Sequence, residues 1–403
     1  MDQRSLVALV GGPDVDARIP LVRELSDRFR LLVYGSDHGS AERFEALGIP
    51  FRSYPLSRRV SPIGDCFAMR RLAVDFRSTR PDVVHAFDTK PGIYACIAAR
   101  RAGVPVVAST ITGLGSLYSG NSGKTRILRV VYESLQRMAC RSSDLTVFQN
   151  ADDERTLLAL RIAQQGKTAV VPGSGVDTRL FGPSRAPTAR ARVRSLLGIA
   201  DDAVVVTMIS RITRSKGAMD FAHVARHCQQ AGPSVRFLVV GPDDRDSVDR
   251  LSPQELAELQ AAALWVGPRK DVPDLLAASD VFVLPSCCRE GIPRVLLEAA
   301  ASGLPLVTTD TPGCNEACRD GENGYCVPKG DVRSLERTVS KLVADADLRH
   351  AFGAASLRLA RERFDLRVVA SQIARLWEEK LLATRRLQPA TTSVSPTSNI
   401  LSK

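Results

Sequence analysis

Short apolar, β-branched runs alternate along this chain with longer stretches in which apolar residues recur at helical spacing. Runs at Leu6–Val10, Leu31–Tyr34, Val83–Ala86, Val104–Ser109, Leu145–Phe148 and Thr168–Val171 read as strands, with helical stretches such as Gly92–Ala102 and Lys124–Ala139 between them. The alternation pauses from Gly173 to Ile199, where Pro183, Pro187 and an Arg/Ala-rich stretch read as a crossing. It resumes at Val204–Ser210, Arg236–Val240, Leu264–Gly267, Val281–Pro285 and Pro305–Thr309. Strand–helix alternation of this kind predicts parallel α/β sheets. The chain therefore reads as two doubly wound, Rossmann-like domains facing a cleft: residues 1–178, a linker at 179–199, and residues 200–365, followed by a helix at 366–385 and a Ser/Thr/Pro-rich tail, 388–403, expected to be disordered. In open parallel sheets ligands sit beyond the carboxyl ends of strands. Gly11-Gly12, Ser210-Arg211 and Ser286–Gly291 all fall at such ends.

Composition adds limits. The 403 residues are 44% apolar and 25% charged, ordinary for a globular chain of two domains. No apolar run reaches the roughly 18–20 residues of a membrane span, and the apolar stretch after Met1 is too short for a signal-peptide core, so a cytoplasmic location is expected. Nine cysteines without a repeated spacing read as reduced thiols. Net charge is +11. Much of the excess lies early, at Arg52, Arg58, Arg59, Arg70, Arg71, Arg77, Arg80, Arg100, Arg101, Lys124, Arg126 and Arg129. It suits either a solvated surface or a face resting on anionic lipid. With 5% aromatics and no recognisable motif, nucleic acid is not an expected partner.

The candidate chemistry centres on Glu290-Gly291-Ile292-Pro293-Arg294-Val295-Leu296-Leu297-Glu298. A strand, a Gly/Pro turn and a helix start gather free backbone N–H groups at the positive end of a helix dipole, an anion site, with a carboxylate on each side. That suits a diphosphate held between two hydroxyl-rich sugars. Arg211 and Lys216, after a strand and before a helix, suit a diphosphate clamp. Glu298 lies among Leu296, Leu297, Ala299 and Ala300, so it needs a polar partner.

This segment resembles the E-x7-E signature of retaining family-4 glycosyltransferases, which have the GT-B fold. The resemblance extends over Val84–Tyr94, Thr110–Gly115, Phe148–Asp153, Gly173–Asp177, Ser210–Gly217 and Gly303–Asp310. The first three blocks look most like the subgroup that extends polyprenyl-diphosphate-linked sugars in bacterial capsule, O-antigen and protein-glycan assembly. The resemblance implies a hexose or N-acetylhexosamine moved from a UDP-sugar to such a lipid-linked saccharide at the cytoplasmic membrane face, without metal or other cofactor. It implies roles in turn. Arg211 and Lys216 would stabilise the departing diphosphate. Glu290 would hold the donor sugar and steady charge at its anomeric carbon, and Glu298 would accept from ribose hydroxyls. Gly291, Ile292, Arg294 and Val295 would cradle phosphate, and Lys270, Asp271 and Val272 would hold the base edge. Gly12 would let the first domain's backbone approach the phosphate. His85, Thr89 and Lys90 would face the acceptor, and the helix at 366–385 would pack back on the first domain. The loop Thr110–Gly115 lacks the histidine that many family members carry there. A same-face mechanism, in which the departing phosphate oxygen takes the acceptor proton, needs no dedicated base.

Three look-alikes fail. Gly123-Lys124-Thr125 lacks the first P-loop glycine, since Tyr118 stands in its place. Asp244-x-Asp246 resembles metal-binding aspartates without their context. His223 and His227 lack the glutamate of a zinc protease. Two rival classes share the nucleotide cleft: a UDP-sugar 2-epimerase-like isomerase, which needs further ionisable groups, and a non-catalytic sugar-nucleotide-binding protein.

Overall fold

The computed structural model describes residues 3–57, 61–120, 123–183, 186–230, 234–245 and 247–387. Arg58, Arg59, Asp246 and the tail at 388–403 lie outside the described residues. Two parallel sheets organise the chain. The first contains β1 (Leu6–Val10), β2 (Arg30–Gly35), β3 (Phe51–Ser53), β4 (Val83–Phe87), β5 (Val106–Ile111), β6 (Leu145–Phe148) and β7 (Thr168–Val170), in the order β3-β2-β1-β4-β5-β6-β7. The second contains β8 (Val204–Ile209), β9 (Val235–Val240), β10 (Leu264–Trp265), β11 (Val281–Leu284), β12 (Leu306–Thr309) and β13 (Gly324–Val327), in the order β10-β9-β8-β11-β12-β13. Each sheet starts in its middle and reverses direction once, at β1/β4 and at β8/β11. At these reversals the connecting chains part and leave a crevice.

The central strands are buried without alternation because helices cover both faces; β4, β5 and β11 are buried throughout. In the first domain, helices Pro62–Thr79, Thr89–Ala102 and Gly123–Ser142 pack one face around Leu72, Phe76, Ile93, Tyr132 and Phe148. The other face is covered by Ile19–Leu25 and by the C-terminal helix Leu366–Leu387. That last helix does return to the first domain: Trp377 is fully buried there, edge-on to Phe29.

The expected linker at 179–199 is shorter in the structure. Ala186–Leu196 is a helix of the second domain. Its Arg194 is fully buried, bonded to Asp280 at 2.7 Å and to the carbonyls of Ala278, Asp201 and Ala203. An arginine-rich stretch looks solvated in sequence, but one guanidinium can satisfy its five donors on carbonyl ends and remain buried. The crossing itself is pinned by backbone bonds from Val176 N to Phe364 O and from Leu366 N to Val176 O, at 2.8 and 3.0 Å. There Thr178 Oγ1 donates to Asp365. Among the described residues no helix is long and apolar enough to cross a membrane, and all nine cysteines are free thiols.

Candidate active site

The second domain supplies a compact polar cluster at the β8/β11 reversal. Gly217 takes φ 80°, and a Cβ there would strike the Pro285 carbonyl. Glycine therefore lets the turn after β8 lie directly on the end of β11. The result brings Lys216 Nζ to 2.6 Å from Glu290 Oε2, while Ser286 Oγ donates to Glu290 Oε1 at 2.8 Å. Arg211 points elsewhere: it is exposed and paired with Asp244. The two cations of the expected clamp are thus divided in this conformation, Lys216 on the site carboxylate and Arg211 at the rim.

Behind this cluster runs the helix Arg294–Ala301, preceded by Pro293 in extended conformation. Glu298 is one turn in. Burial pushes its carboxyl above the usual range, opposed by Arg294, whose guanidinium is 3.7 Å away. That separation is beyond a hydrogen bond, so the carboxylate pays for burial without a close donor; hydroxyl groups of a ligand would supply one. Of the amides expected to cradle phosphate, Ile292 N is already committed to Gln149 Oε1 at 3.3 Å. Arg294 and Val295 stand in the first turn, where amides have no intrahelical acceptor. Further along the strand ends, Arg269 grips Asp271 with two bonds of 2.8 and 2.7 Å, holding that carboxyl below its usual range and fixing the loop that carries Lys270 and Val272.

The first domain closes the cleft largely with backbone. Gly113, at φ 123°, lies so near the turn that a Cβ would overlap Gly291 N. A Cβ on Gly291 would overlap both the Thr112 carbonyl and Gln149 Oε1, and one on Gly313 would overlap the Gly291 carbonyl. Asn150 Nδ2 donates to the carbonyls of Glu290 and Gly291 at 3.2 and 3.0 Å. Gly115 N donates to Arg289 O at 3.0 Å, and Arg289 reaches back to Asp153 at 2.6 Å and to Thr156 Oγ1 at 2.6 Å. The Thr110–Gly115 and Phe148–Asp153 segments therefore form a latch on the Glu290–Gly291 turn.

Two residues that the sequence reading passes over complete this wall. Arg18 is largely buried over the Phe87 ring, donating to Ser174 Oγ at 2.7 Å and to Asp88 Oδ1 at 3.3 Å. Desolvation lowers its pKa; Asp88 opposes that, and the nearby charge of Arg294 lowers it further. Arg18 and Arg294 thus bring two positive charges together from opposite domains, an arrangement that an anion between them would relieve. Asp88, the residue after β4 and the cap of the following helix, takes φ 68° and ψ 172°, an unusual conformation for a residue with a side chain, costing about 1–3 kcal/mol. It accepts from Thr112 Oγ1 at 3.2 Å. Positive φ and cross-domain charge leave no mark in a linear pattern, so Arg18 is not singled out there and Asp88, inside the Val84–Tyr94 block, is given no role.

Other first-domain expectations need correction. His85 does not face the cleft. It lies inside β4, fully buried and stacked on Phe87. Its Nδ1 accepts from Trp377 Nε1–H at 2.8 Å, and Nε2 bonds Thr110 Oγ1 at 2.7 Å. Burial, with Arg18 nearby, lowers its pKa to about 3. Lys90 turns to the neighbouring helix, 2.6 Å from Asp65 Oδ1 and 2.8 Å from Ser57 O, whereas Thr89 is exposed at the helix start. Gly12 is different from Gly11: a Cβ on Gly11 would strike Val15, but one on Gly12 would meet only Pro91 Cγ at 3.7 Å. A Cβ at Gly12 would therefore fit in ordinary contact, and one at Gly11 would not.

A groove of about 980 Å³ behind the domain crossing, lined by Arg179, Arg361, Arg367 and Arg375 among others, is roomier than these walls suggest. It is the weaker candidate, because Asp365 there is spent on Thr178 and Arg367 and Arg375 is paired with Glu379. Among the described residues no three His, Cys, Asp or Glu side chains gather as metal ligands.

Residues 203–345 match the family model described as "Glycosyl transferases group 1", and residues 20–173 match "Glycosyl transferase 4-like domain". The chain belongs to the family-4 glycosyltransferases. It is 29% identical over 72% of its length, and 73% of the relative's, to the Escherichia coli UDP-Gal:alpha-D-GlcNAc-diphosphoundecaprenol alpha-1,3-galactosyltransferase. It is 26% identical over 92% of its length, and 93% of the relative's, to the Campylobacter jejuni N,N'-diacetylbacillosaminyl-diphospho-undecaprenol alpha-1,3-N-acetylgalactosaminyltransferase. The fold is similar to that of Anabaena Alr3699/HepE, solved with UDP and glucose, at a TM-score of 0.75 and 22% identity, covering 93% of this chain and 100% of that one. Thermosynechococcus elongatus sucrose-phosphate synthase superposes with a TM-score of 0.78 at 17% identity, covering 94% and 100%. For a glycosyltransferase of this fold, the latch explains why the turn bearing Glu290 is ordered by the opposite domain.

Proposed function

We propose that this glycosyltransferase moves a hexosyl or N-acetylhexosaminyl unit from a UDP-sugar to a polyprenyl-diphosphate-linked saccharide in bacterial glycan assembly, with retention and without a metal ion. The observation that carries the reading is the Lys216–Glu290–Ser286 cluster, held at a strand-end reversal beside the start of a helix whose Arg294 lies near Arg18 of the first domain. The names of the E. coli and C. jejuni relatives, both acting on diphosphoundecaprenol-linked sugars, support the acceptor class.

The chemistry follows from charge. The bond between the anomeric carbon and the diphosphate oxygen breaks ahead of the new bond, so negative charge builds on the diphosphate and positive charge on the sugar. Lys216, Arg294 and Arg18 oppose the first, and fixed cations of this kind lower the barrier. Glu290 opposes the second. Lys216 now neutralises Glu290, and an incoming diphosphate would share that ammonium. The acceptor oxygen attacks from the departing side and its proton passes to the leaving phosphate oxygen. No dedicated base enters, and the buried His85 is not asked to serve as one.

Calorimetric titration of UDP and GDP in the presence of a chelator, for wild type and Glu298→Gln, tests the donor site. The expected result is UDP binding that survives chelation and weakens about tenfold in the variant, in line with loss of a charged hydrogen bond. The variant should melt no lower than wild type, since the amide relieves the burial of charge at Glu298. Binding that needs metal, or prefers GDP, would overturn those parts of the reading.

A further inference from the structure

We propose that the outer face of helices Pro62–Thr79 and Gly123–Ser142 is a docking surface for an anionic phospholipid bilayer. The proposal rests on the reading that the acceptor is lipid-linked, and it assigns the place where the enzyme meets that lipid. Of the fifteen large apolar side chains exposed among the described residues, eight lie on these two helices. On the first, Ile63 and Phe67 are 88% and 63% exposed, and they continue through Arg70, Val74 and Arg77. These five are spaced four, three, four and three residues apart, one stripe of a helix. On the second, Ile127 and Val130 are 68% and 63% exposed, and the stripe runs on through Val131, Ser134, Met138 and Arg141. Both helices pack against Thr89–Ala102 on the same face of the first sheet, so the stripes share one side of the domain.

Charge is sorted on this side. Asp65 and Asp75 are buried, and Glu133 accepts from Tyr118 OH, whereas Arg70, Arg71, Arg77, Arg126 and Arg141 are exposed. An apolar stripe flanked by arginines suits a helix lying in the plane of an anionic membrane, its apolar side chains at the acyl boundary and its cations at the headgroups. A second copy of the chain would bring like charges face to face across a two-fold axis.

The surface is also continuous with the cleft. In a parallel α/β layer each helix runs back along its strand, so its N-terminal turns stand at the strands' carboxyl ends. Lys90 ties the first turn of one helix, at Asp65, to the start of the helix after β4. Arg129 Nε and Nη2 tie the other helix to the carbonyls of Leu117 and Gly120, just past the Gly113–Gly115 latch. The most exposed apolar residues, Ile63, Phe67, Ile127 and Val130, therefore stand on the cleft side of the face. A lipid diphosphate at headgroup level would meet the enzyme there.

Flotation of the full-length protein with vesicles of phosphatidylglycerol and phosphatidylcholine, against phosphatidylcholine alone, tests this. The expected result is binding that requires the anionic lipid. It should fall about fivefold for each of Arg70→Ser and Arg126→Ser, and more than tenfold for the combination Phe67→Ser, Ile127→Ser and Val130→Ser. UDP binding, and transfer to a short-chain water-soluble acceptor, should stay as in wild type, showing that the variants are folded. Equal binding to neutral vesicles, or undiminished vesicle binding by the triple variant, would overturn the proposal. So would a triple variant that only converts a dimer to a monomer. If wild type binds vesicles in this way but no nucleotide, the donor reading fails and the docking surface stands.

Discussion

On the second domain the polar groups facing the cleft are side chains: Lys216 and Ser286 converge on Glu290, and Glu298 lies one turn into the helix behind. On the first domain the contacts with that turn come largely from backbone at Gly113 and Gly115, with Gln149 and Asn150 bonded to backbone of the opposing segment. On the proposed reading the second-domain wall carries most of the chemistry, and the first-domain wall, Arg18 apart, positions it. Such a division predicts that damage to the two walls will separate in kinetics. On that reading a second-domain carboxylate would act on the reacting bond, whereas a first-domain glycine would act through geometry.

The sharpest break is Glu290→Ala. Turnover should fall about 10²–10³-fold, the usual cost of losing a group that stabilises transition-state charge. UDP affinity should hold or improve, because Lys216 is released from its carboxylate and becomes free for phosphate. Steady-state kcat beside UDP titration reads both. An unchanged kcat removes Glu290 from the mechanism. Next is Gly113→Ala, which changes no polar group. The added methyl would push the walls apart where Gly113 lies on Gly291 N, and the residue would be strained at φ 123°. A displacement near 1 Å costs about a hundredfold in rate, so kcat should fall about 10–100-fold with UDP affinity within about threefold. Equal losses in kcat and UDP binding would mean that the first domain helps hold the nucleotide, and the division of labour between the walls would fail.

The fold was legible because burial on both faces of a parallel sheet leaves unbroken apolar runs, and β8 and β11 could be placed nearly to the residue. The second-domain cluster was legible for a related reason: its side chains follow those strands at short fixed spacing, so locating the strand locates Glu290. The first-domain wall was not. Gly113, Asn150 and Arg289 matter through partners more than a hundred residues away, and spacing carries no information about them. Ala186–Leu196 was misread as linker because its defining event is the burial of Arg194, which bonds Ala278 and Asp280, 84 and 86 residues away. His85 was placed on the cleft because a histidine in a strand invites a functional reading, and Trp377, which claims its Nδ1, is 292 residues away.

His85 gives the smallest expected effect on activity and a clear one on stability. The folded ring must be neutral: Nδ1 accepts from Trp377, so the proton sits on Nε2 and is donated to Thr110. Protonation would set two N–H groups against each other inside the core. The folded pKa is about 3, lowered by burial and then by Arg18, against about 6.5 in the unfolded chain. Between those values the unfolded state binds the extra proton. The stabilising contribution is therefore complete above pH 6.5 and is lost as pH falls toward 3, at up to about 1.4 kcal/mol per pH unit. Denaturant titrations at a series of pH values should show this slope in wild type and a shallower one in His85→Gln, whatever the variant's absolute stability. Turnover of the folded variant at neutral pH should change by less than about threefold. A variant that keeps the wild-type slope but loses turnover would return His85 to the acceptor side of the cleft and make the first wall chemical as well.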